Sequence, residues 1–279
     1  MSYITFKNLG ASADLGSQIQ QHASLCAIAQ ETGKQIIFPE SSKALGWGFK
    51  FDKVLDVDIT FAPDSFFKEF IDIAPKGGSL LDQSMFSLHK DQNYNVTGTF
   101  DTYLYWYNNY KAVVDSWDWK AEYLSTATNQ YNNLKLASKE TVAIHVRRGN
   151  YLLPQHHHFC KLDTQGYYEQ SLQHFFTDID KYQFFIFSND IEWCKQNLIE
   201  ESEIVTFVDT GVDYNDLVLM SLCDHNIIAN SSFSWWAAYK NKNSNKKIIC
   251  PTNYVYDYSP AKWINGTYYP LDWTNIDNI

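Results

Sequence analysis

Long hydrophobic runs are missing from this 279-residue sequence: none approaches the roughly 20 apolar residues that a membrane-spanning helix requires. The opening Met1-Ser-Tyr-Ile-Thr-Phe6 lacks the charged start and extended apolar centre of a secretory signal, so the expected location is cytoplasmic. Cysteine is sparse too. Cys26, Cys160, Cys194, Cys223 and Cys250 are odd in number, scattered and never in a C-x-x-C pair, which argues against a disulfide framework or a zinc knuckle. Positive charge is also short: 22 Lys and Arg face 32 Asp and Glu, and the resulting net charge of −10 argues against nucleic acid or an anionic membrane as the main partner.

Aromatic rings are what the chain has in excess, with 19 Tyr, 18 Phe and 9 Trp. Such side chains fill cores and partner contacts and also suit sugar faces, and composition leaves both readings open. Hydrophobic content of 45% with 19% charged residues is that of a globular protein. The length suits two lobes, expected at 1–135 and 136–279.

Strands and helices alternate through the C-terminal half. Strands are expected at 141–146, 184–188, 204–208, 226–229 and 247–250. Helices fall between them, at about 163–176 with Asp163 and Thr164 as caps, then 190–198, 214–223 and 232–239. This alternation predicts an α/β fold with a parallel, doubly wound sheet, whose ligands sit at the carboxyl ends of strands. The N-terminal half opens similarly, with a strand at 3–6, a helix at about 17–31 ended by Gly33, and a strand at 35–38 closed by Pro39. From 41 to about 120 no periodicity persists, and 129–138 is polar and expected near the lobe boundary.

Two segments carry chemistry. Ile144-His-Val-Arg-Arg-Gly-Asn-Tyr151 places two arginines and a glycine where a buried strand ends, and a guanidinium there offers a planar fork of donors matched to phosphate oxygens. An internal ion pair of Arg147 or Arg148 is the structural alternative. His145, inside the strand, reads as a core histidine rather than a base. The second segment runs from Asp216 to Trp236, where Asn230, Ser231, Ser232 and Ser234 cluster between a strand and a helix. Serines there cap the helix and add hydroxyl donors to free N–H groups, making an anion site for a diphosphate. Trp235 and Trp236 read as helix packing. His156-His-His158 cannot converge on one ion from an extended loop, so no metal is expected.

The stretch His145-Val-Arg-Arg-Gly-Asn-Tyr-Leu152 resembles the H-V-R-R-G-D-Y motif of the α-1,2-fucosyltransferase family. Phe187-Ser-Asn-Asp-Ile-Glu-Trp193 is similar to its F-S-D-D-x-E-W motif, and Leu219 to Trp236 to its longest signature. Leu15-Gly-Ser-Gln-Ile-Gln-Gln-His-Ala23 resembles the family's G-L-G-N-Q-M-F-Q-Y-A, with Ser17 in place of Asn and Ala13-Asp14 in place of the preceding glycines. Asn150 and Asn189 stand where the family has Asp. An orienting role for the first of these Asp residues would survive as Asn, because the side chain still accepts a hydrogen bond.

The resemblance implies a GT-B-like fold of two Rossmann-like lobes with a cleft between them. It implies GDP-fucose as co-substrate, a glycan acceptor, and inverting transfer to the 2-hydroxyl of a galactose-type sugar. Arg147 is then the main diphosphate contact, supported by Arg148, with Ser231, Ser232 and Ser234 completing the cradle. His145, Asn150, Asp216 and Asn230 join the GDP-fucose pocket, and Gly16 and Gln18 form an N-terminal loop. No cofactor is expected, since arginines and a helix N-terminus can offset leaving-group charge directly. Asp14, Asp101, Asp190 and Asp209 lie in loops or at strand ends, and no spacing elects a general base among them. A lipid-linked acceptor would bring peripheral membrane association. The alternatives are the same scaffold with another GDP-deoxyhexose or acceptor position, and an inactive GDP- or glycan-binding protein.

Overall fold

A computed structural model of the chain describes residues 1–11, 13–46, 48–76, 80–259 and 262–278. Among them, all pairings within the sheets are parallel, and no helix is long and apolar enough to cross a membrane. The chain divides into two units, Met1–Lys120 and Ala121–Ile279. The polar stretch near 129–138 therefore belongs to the second unit, where most of it lies in the Ala121–Leu134 helix.

The second unit carries a six-stranded sheet in the order Thr274–Ile276, Ile248–Pro251, His225–Ile227, Glu140–Val146, Tyr182–Ser188, Val205–Val208. The central strands are buried on both faces and read as continuous apolar runs, as parallel strands covered by helices must. Val142, Ile144, Val146, Phe184 and Ile186 join Tyr168, Leu172 and Phe175 of the Tyr167–Phe176 helix in one core cluster. That helix starts later than its sequence suggests. Gly166, in the left-handed region at φ 69°, is its N-cap with no side-chain cap bond. Thr164 instead donates to the Lys161 carbonyl, and Asp163 turns to an arginine.

The first unit holds a four-stranded sheet in the order Gln35–Ile36, Tyr3–Thr5, Tyr94–Val96, Ile71–Ile73. Its long helix, Leu15–Thr32, is buried along most of its length and has definite ends. The Asp14 carboxylate accepts from the Leu15 N–H, and Gly33 at φ 64° donates its N–H to the Ala29 and Gln30 carbonyls, closing the last turn. Two of the four strands lie in the segment where the sequence shows no periodicity, and each is three residues long.

Candidate functional site

In the second unit the Glu140–Val146 strand pairs with Tyr182–Ser188 on one side and His225–Ile227 on the other. The chain first builds outward in one direction, then returns to add strands on the opposite flank. The reversal falls between Glu140–Val146 and His225–Ile227, and at such a switch point the strands' carboxyl ends open a crevice that binds ligands. Both segments singled out in the sequence end there: Arg147 follows the first strand, and the Asn230–Ser234 stretch follows the second.

The two arginines, which follow the Glu140–Val146 strand, diverge. Arg148 is only 12% exposed and committed to the protein: its Nε donates to Asp190 at 3.0 Å, its Nη1 pairs with Asp163, and its guanidinium lies 4.0 Å from the Trp193 ring centroid. It makes the internal ion pair that the sequence held as an alternative. Arg147 is half-buried and largely uncommitted. Its Nη2 donates to Asn150 Oδ1 at 2.8 Å, its guanidinium lies 5.3 Å from the Tyr151 ring centroid, and its buried Nε has no partner among the described residues. Gly149 opens the turn that follows them. It sits at φ +44°, and a Cβ there would lie 2.1 Å from Asn189 Nδ2. Asn189 Oδ1 in turn accepts from the Arg148 N–H at 2.9 Å, so the amide at this family Asp position braces the arginine turn.

The serine cluster is not one cradle. Ser231 is the N-cap of the Ser232–Lys240 helix but makes no side-chain cap bond, and Ser232 is that helix's first residue. Ser234 faces inward: it is fully buried, its Oγ lies 2.8 Å from His145 Nδ1, and it donates weakly to the Ser231 carbonyl at 3.4 Å. Its expected place on a phosphate is corrected to a brace for His145. Burial, reinforced by the Arg147 charge, pushes the His145 pKa down to about 3, so the ring is neutral and serves as a polar wall. Asn230 is corrected likewise: its Nδ2 donates to the Cys160 and Tyr254 carbonyls at 3.1 and 2.9 Å, tying two loops to the sheet. Trp235 and Trp236 are buried.

Asp216 sits in the first turn of the Asp213–Leu222 helix, and its Oδ1 accepts from the Thr210 N–H at 3.2 Å. Burial raises its pKa to about 6, outweighing the Thr210 hydrogen bonds. A carboxyl with a raised folded pKa stabilises the fold below its unfolded value near 4, and that contribution is lost as pH rises through about 6. Asp216→Asn should therefore raise Tm at pH 7.5 and leave it nearly unchanged at pH 4, measured by thermal unfolding at the two pH values.

In the first unit, Gly16 is corrected from loop to helix: it is the second residue of Leu15–Thr32. Gln18 is buried and fully engaged, donating to the Ala13 and Gly48 carbonyls at 2.9 Å each and accepting from the Lys50 N–H at 2.8 Å. It braces the 48–50 segment against the start of the helix. Back in the second unit, the His158 ring lies 6.2 Å from that of His156 and 5.9 Å from that of His157, centroid to centroid. His157 stacks on Tyr258 at 6.1 Å, and His156 packs with Phe159 at 5.8 Å. Among the described residues no group of three or more His, Cys, Asp or Glu is placed to hold a metal ion.

The site thus converges on Arg147, Asn150 and the N-terminus of Ser232–Lys240, with His145 behind them. The residues that sequence reasoning missed are supports. Tyr151 and Trp193, the rings beneath the two arginines, and Asn189 all lie inside the quoted motifs, which was the available signal. Asp163 lies outside them.

Residues 5–277 match the family described as Glycosyl transferase family 11. An Alpha-1,2-colitosyltransferase of Escherichia coli is 33% identical over 155 residues, which is 47% of this chain and 52% of that protein. Galactoside alpha-(1,2)-fucosyltransferase 1 of Homo sapiens is 35% identical over 103 residues, 35% of this chain and 28% of that protein. The chain spans about half the length or less of these curated relatives. Among solved structures, POFUT1 in its apo form superposes with a TM-score of 0.56 at 10% identity, covering 89% of this chain and 97% of that one. The same protein in complex with GDP-fucose gives 0.54 at 10% identity, with 88% and 97% covered. The likeness establishes the fold, α/β and GT-B-like with two Rossmann-like units.

Proposed function

Because the chain belongs to glycosyl transferase family 11, we propose that it transfers fucose from GDP-fucose to the 2-hydroxyl of a galactose-type acceptor, with inversion and without a metal ion. One observation carries the reading: Arg147 stands at the switch point with most of its guanidinium donors unclaimed, next to a helix N-terminus whose first serine makes no side-chain cap. Such a pair suits a diphosphate. Support for the linkage comes from the relatives, whose names share a 1,2 linkage, and support for fucose from the Homo sapiens one. In the proposed displacement the acceptor oxygen forms a bond to the anomeric carbon on one face while the carbon–phosphate oxygen bond breaks on the other. GDP leaves with the electron pair, and Arg147 and the helix N–H groups meet the growing charge. The acceptor proton departs late, after the new bond has begun to form, and passes to solvent water.

A second reading, another GDP-deoxyhexose on the same scaffold, draws on the colitosyltransferase match. Radiolabelled GDP-fucose with a panel of galactosides tests the first: labelled product supports it, whereas GDP affinity without turnover would replace it with a binding protein. The Asn150 bond to Arg147 favours catalysis, since the position orients an arginine and needs no acid. Asn150→Asp should accordingly fold normally and keep or raise kcat. Complete inactivation would mean that the amide's N–H groups are used. Excess EDTA should leave turnover within about twofold, under about 0.5 kcal/mol of barrier. A loss beyond about tenfold that Mg²⁺ or Mn²⁺ restores would sink the metal-free route.

A further inference from the structure

Next to the three histidines stands Phe159, which lies outside all the motifs quoted above. Its ring is parallel to that of Tyr151, 4.2 Å away centroid to centroid with 6° between the planes. Tyr151 is buried, and the Arg147 guanidinium lies over its ring at 5.3 Å. The Tyr151 hydroxyl donates to the Asn230 carbonyl at 3.0 Å, which holds the tip of the ring, while the parallel contact with Phe159 fixes its tilt.

Phe159 is itself clamped. It forms an antiparallel bridge with Val255, flanked by donation from the Cys160 N–H to the Tyr254 carbonyl at 3.3 Å and from the Tyr256 N–H to the His158 carbonyl at 3.0 Å. Asn230, whose carbonyl holds Tyr151, also donates its Nδ2 to the Cys160 and Tyr254 carbonyls, so one residue fastens the surroundings of both rings. The Tyr254 ring meets Phe159 edge-on at 5.6 Å, and the His158 ring packs on it at 4.2 Å. Burial and the neighbouring His156, His157 and Lys161 charges lower the His158 pKa, so at neutral pH it packs as a neutral ring and adds no second cation.

We propose that Phe159 is a positioning residue for the transfer, which acts through the Tyr151 ring to keep the Arg147 guanidinium aimed at the diphosphate; this rests on the reading of Arg147 as the diphosphate contact. Arg147 makes one hydrogen bond to the described residues, the donation to Asn150, so the ring beneath it is the main further restraint on a flexible side chain. Ordering that side chain anew for each ligand would cost rotamer entropy, which a prebuilt platform avoids. The platform needs a flat ring at 159, because an aliphatic side chain of similar bulk fills the space without fixing the plane above it.

Titration calorimetry of GDP and of guanosine against Phe159→Leu and Phe159→Tyr reads the effect without turnover, with circular dichroism to check folding. Phe159→Leu should weaken GDP binding by about threefold to tenfold, while Phe159→Tyr binds GDP as the wild type does and guanosine affinity is the same in all three. In an Arg147→Ala background Phe159→Leu should cost nothing further, because its effect passes through the arginine. Wild-type GDP affinity in Phe159→Leu would overturn the proposal, as would an equal loss in Phe159→Tyr, an equal weakening of guanosine, or additive losses in the double variant. A wild type without GDP affinity would contradict the diphosphate reading, and side-chain ¹⁵N NMR then tests the positioning by itself. The Arg147 Nε–H signal should be sharp in the wild type and Phe159→Tyr and broadened or shifted in Phe159→Leu; the same signal in all three would overturn the proposal.

Discussion

Replacing Arg147 by lysine should lower kcat by about a hundredfold to a thousandfold, the effect of about 3 to 4 kcal/mol that a missing charged donor at a developing oxyanion typically has. Lysine keeps the charge but loses the planar fork, and with it the Nη2 donation to Asn150 and the packing against Tyr151. The loss should fall mainly on kcat, because the contact strengthens as the phosphate takes on charge. Arg148→Lys should cost clearly less in kcat. That arginine is turned away, between Asp163 and Asp190 over Trp193, and supports the turn that aims its neighbour. Steady-state kinetics on both variants, with circular dichroism to check folding, decides the matter. An active Arg147→Lys beside a dead Arg148→Lys would reverse the assignment.

Asp163→Ala should instead strike stability. Asp163 is 6% exposed and Arg148 12%, so removing the carboxylate leaves a largely buried cation with only the more open Asp190 as partner. Breaking a buried pair from one side costs about 3 to 5 kcal/mol, and the surviving partner places this case at the lower end. For a unit of this size the fall in Tm is roughly 6 to 12 °C. Activity per folded molecule should be retained better than in Arg147→Lys. A Tm equal to that of the wild type would remove Asp163 from the arginine network.

These two residues also show how far the sequence could be read. The second unit's strands were legible because buried parallel strands leave dense β-branched and aromatic runs, as in Thr141–Val146 and Phe184–Phe187. The strands Ile71–Ile73 and Tyr94–Val96 were not, because three residues are too few to establish a period. Arg147 was legible as a cation where a strand ends. The serine cluster misled at Ser234 because its partner, His145, is 89 positions away, and only the fold brings them together. Asp163 was misread for the same reason: a carboxylate just before a helix looks like a cap, and the tertiary pull of Arg148 outcompetes that local role.

The central claim is that Arg147, at the switch point, holds the diphosphate. Isothermal titration calorimetry of GDP and of guanosine against the wild type and Arg147→Ala tests it most directly. The account predicts that the variant binds GDP about tenfold to a hundredfold more weakly, the loss of a charge-assisted contact of about 1.5 to 3 kcal/mol, while guanosine binding is unchanged. Equal GDP affinity in the two proteins would contradict it.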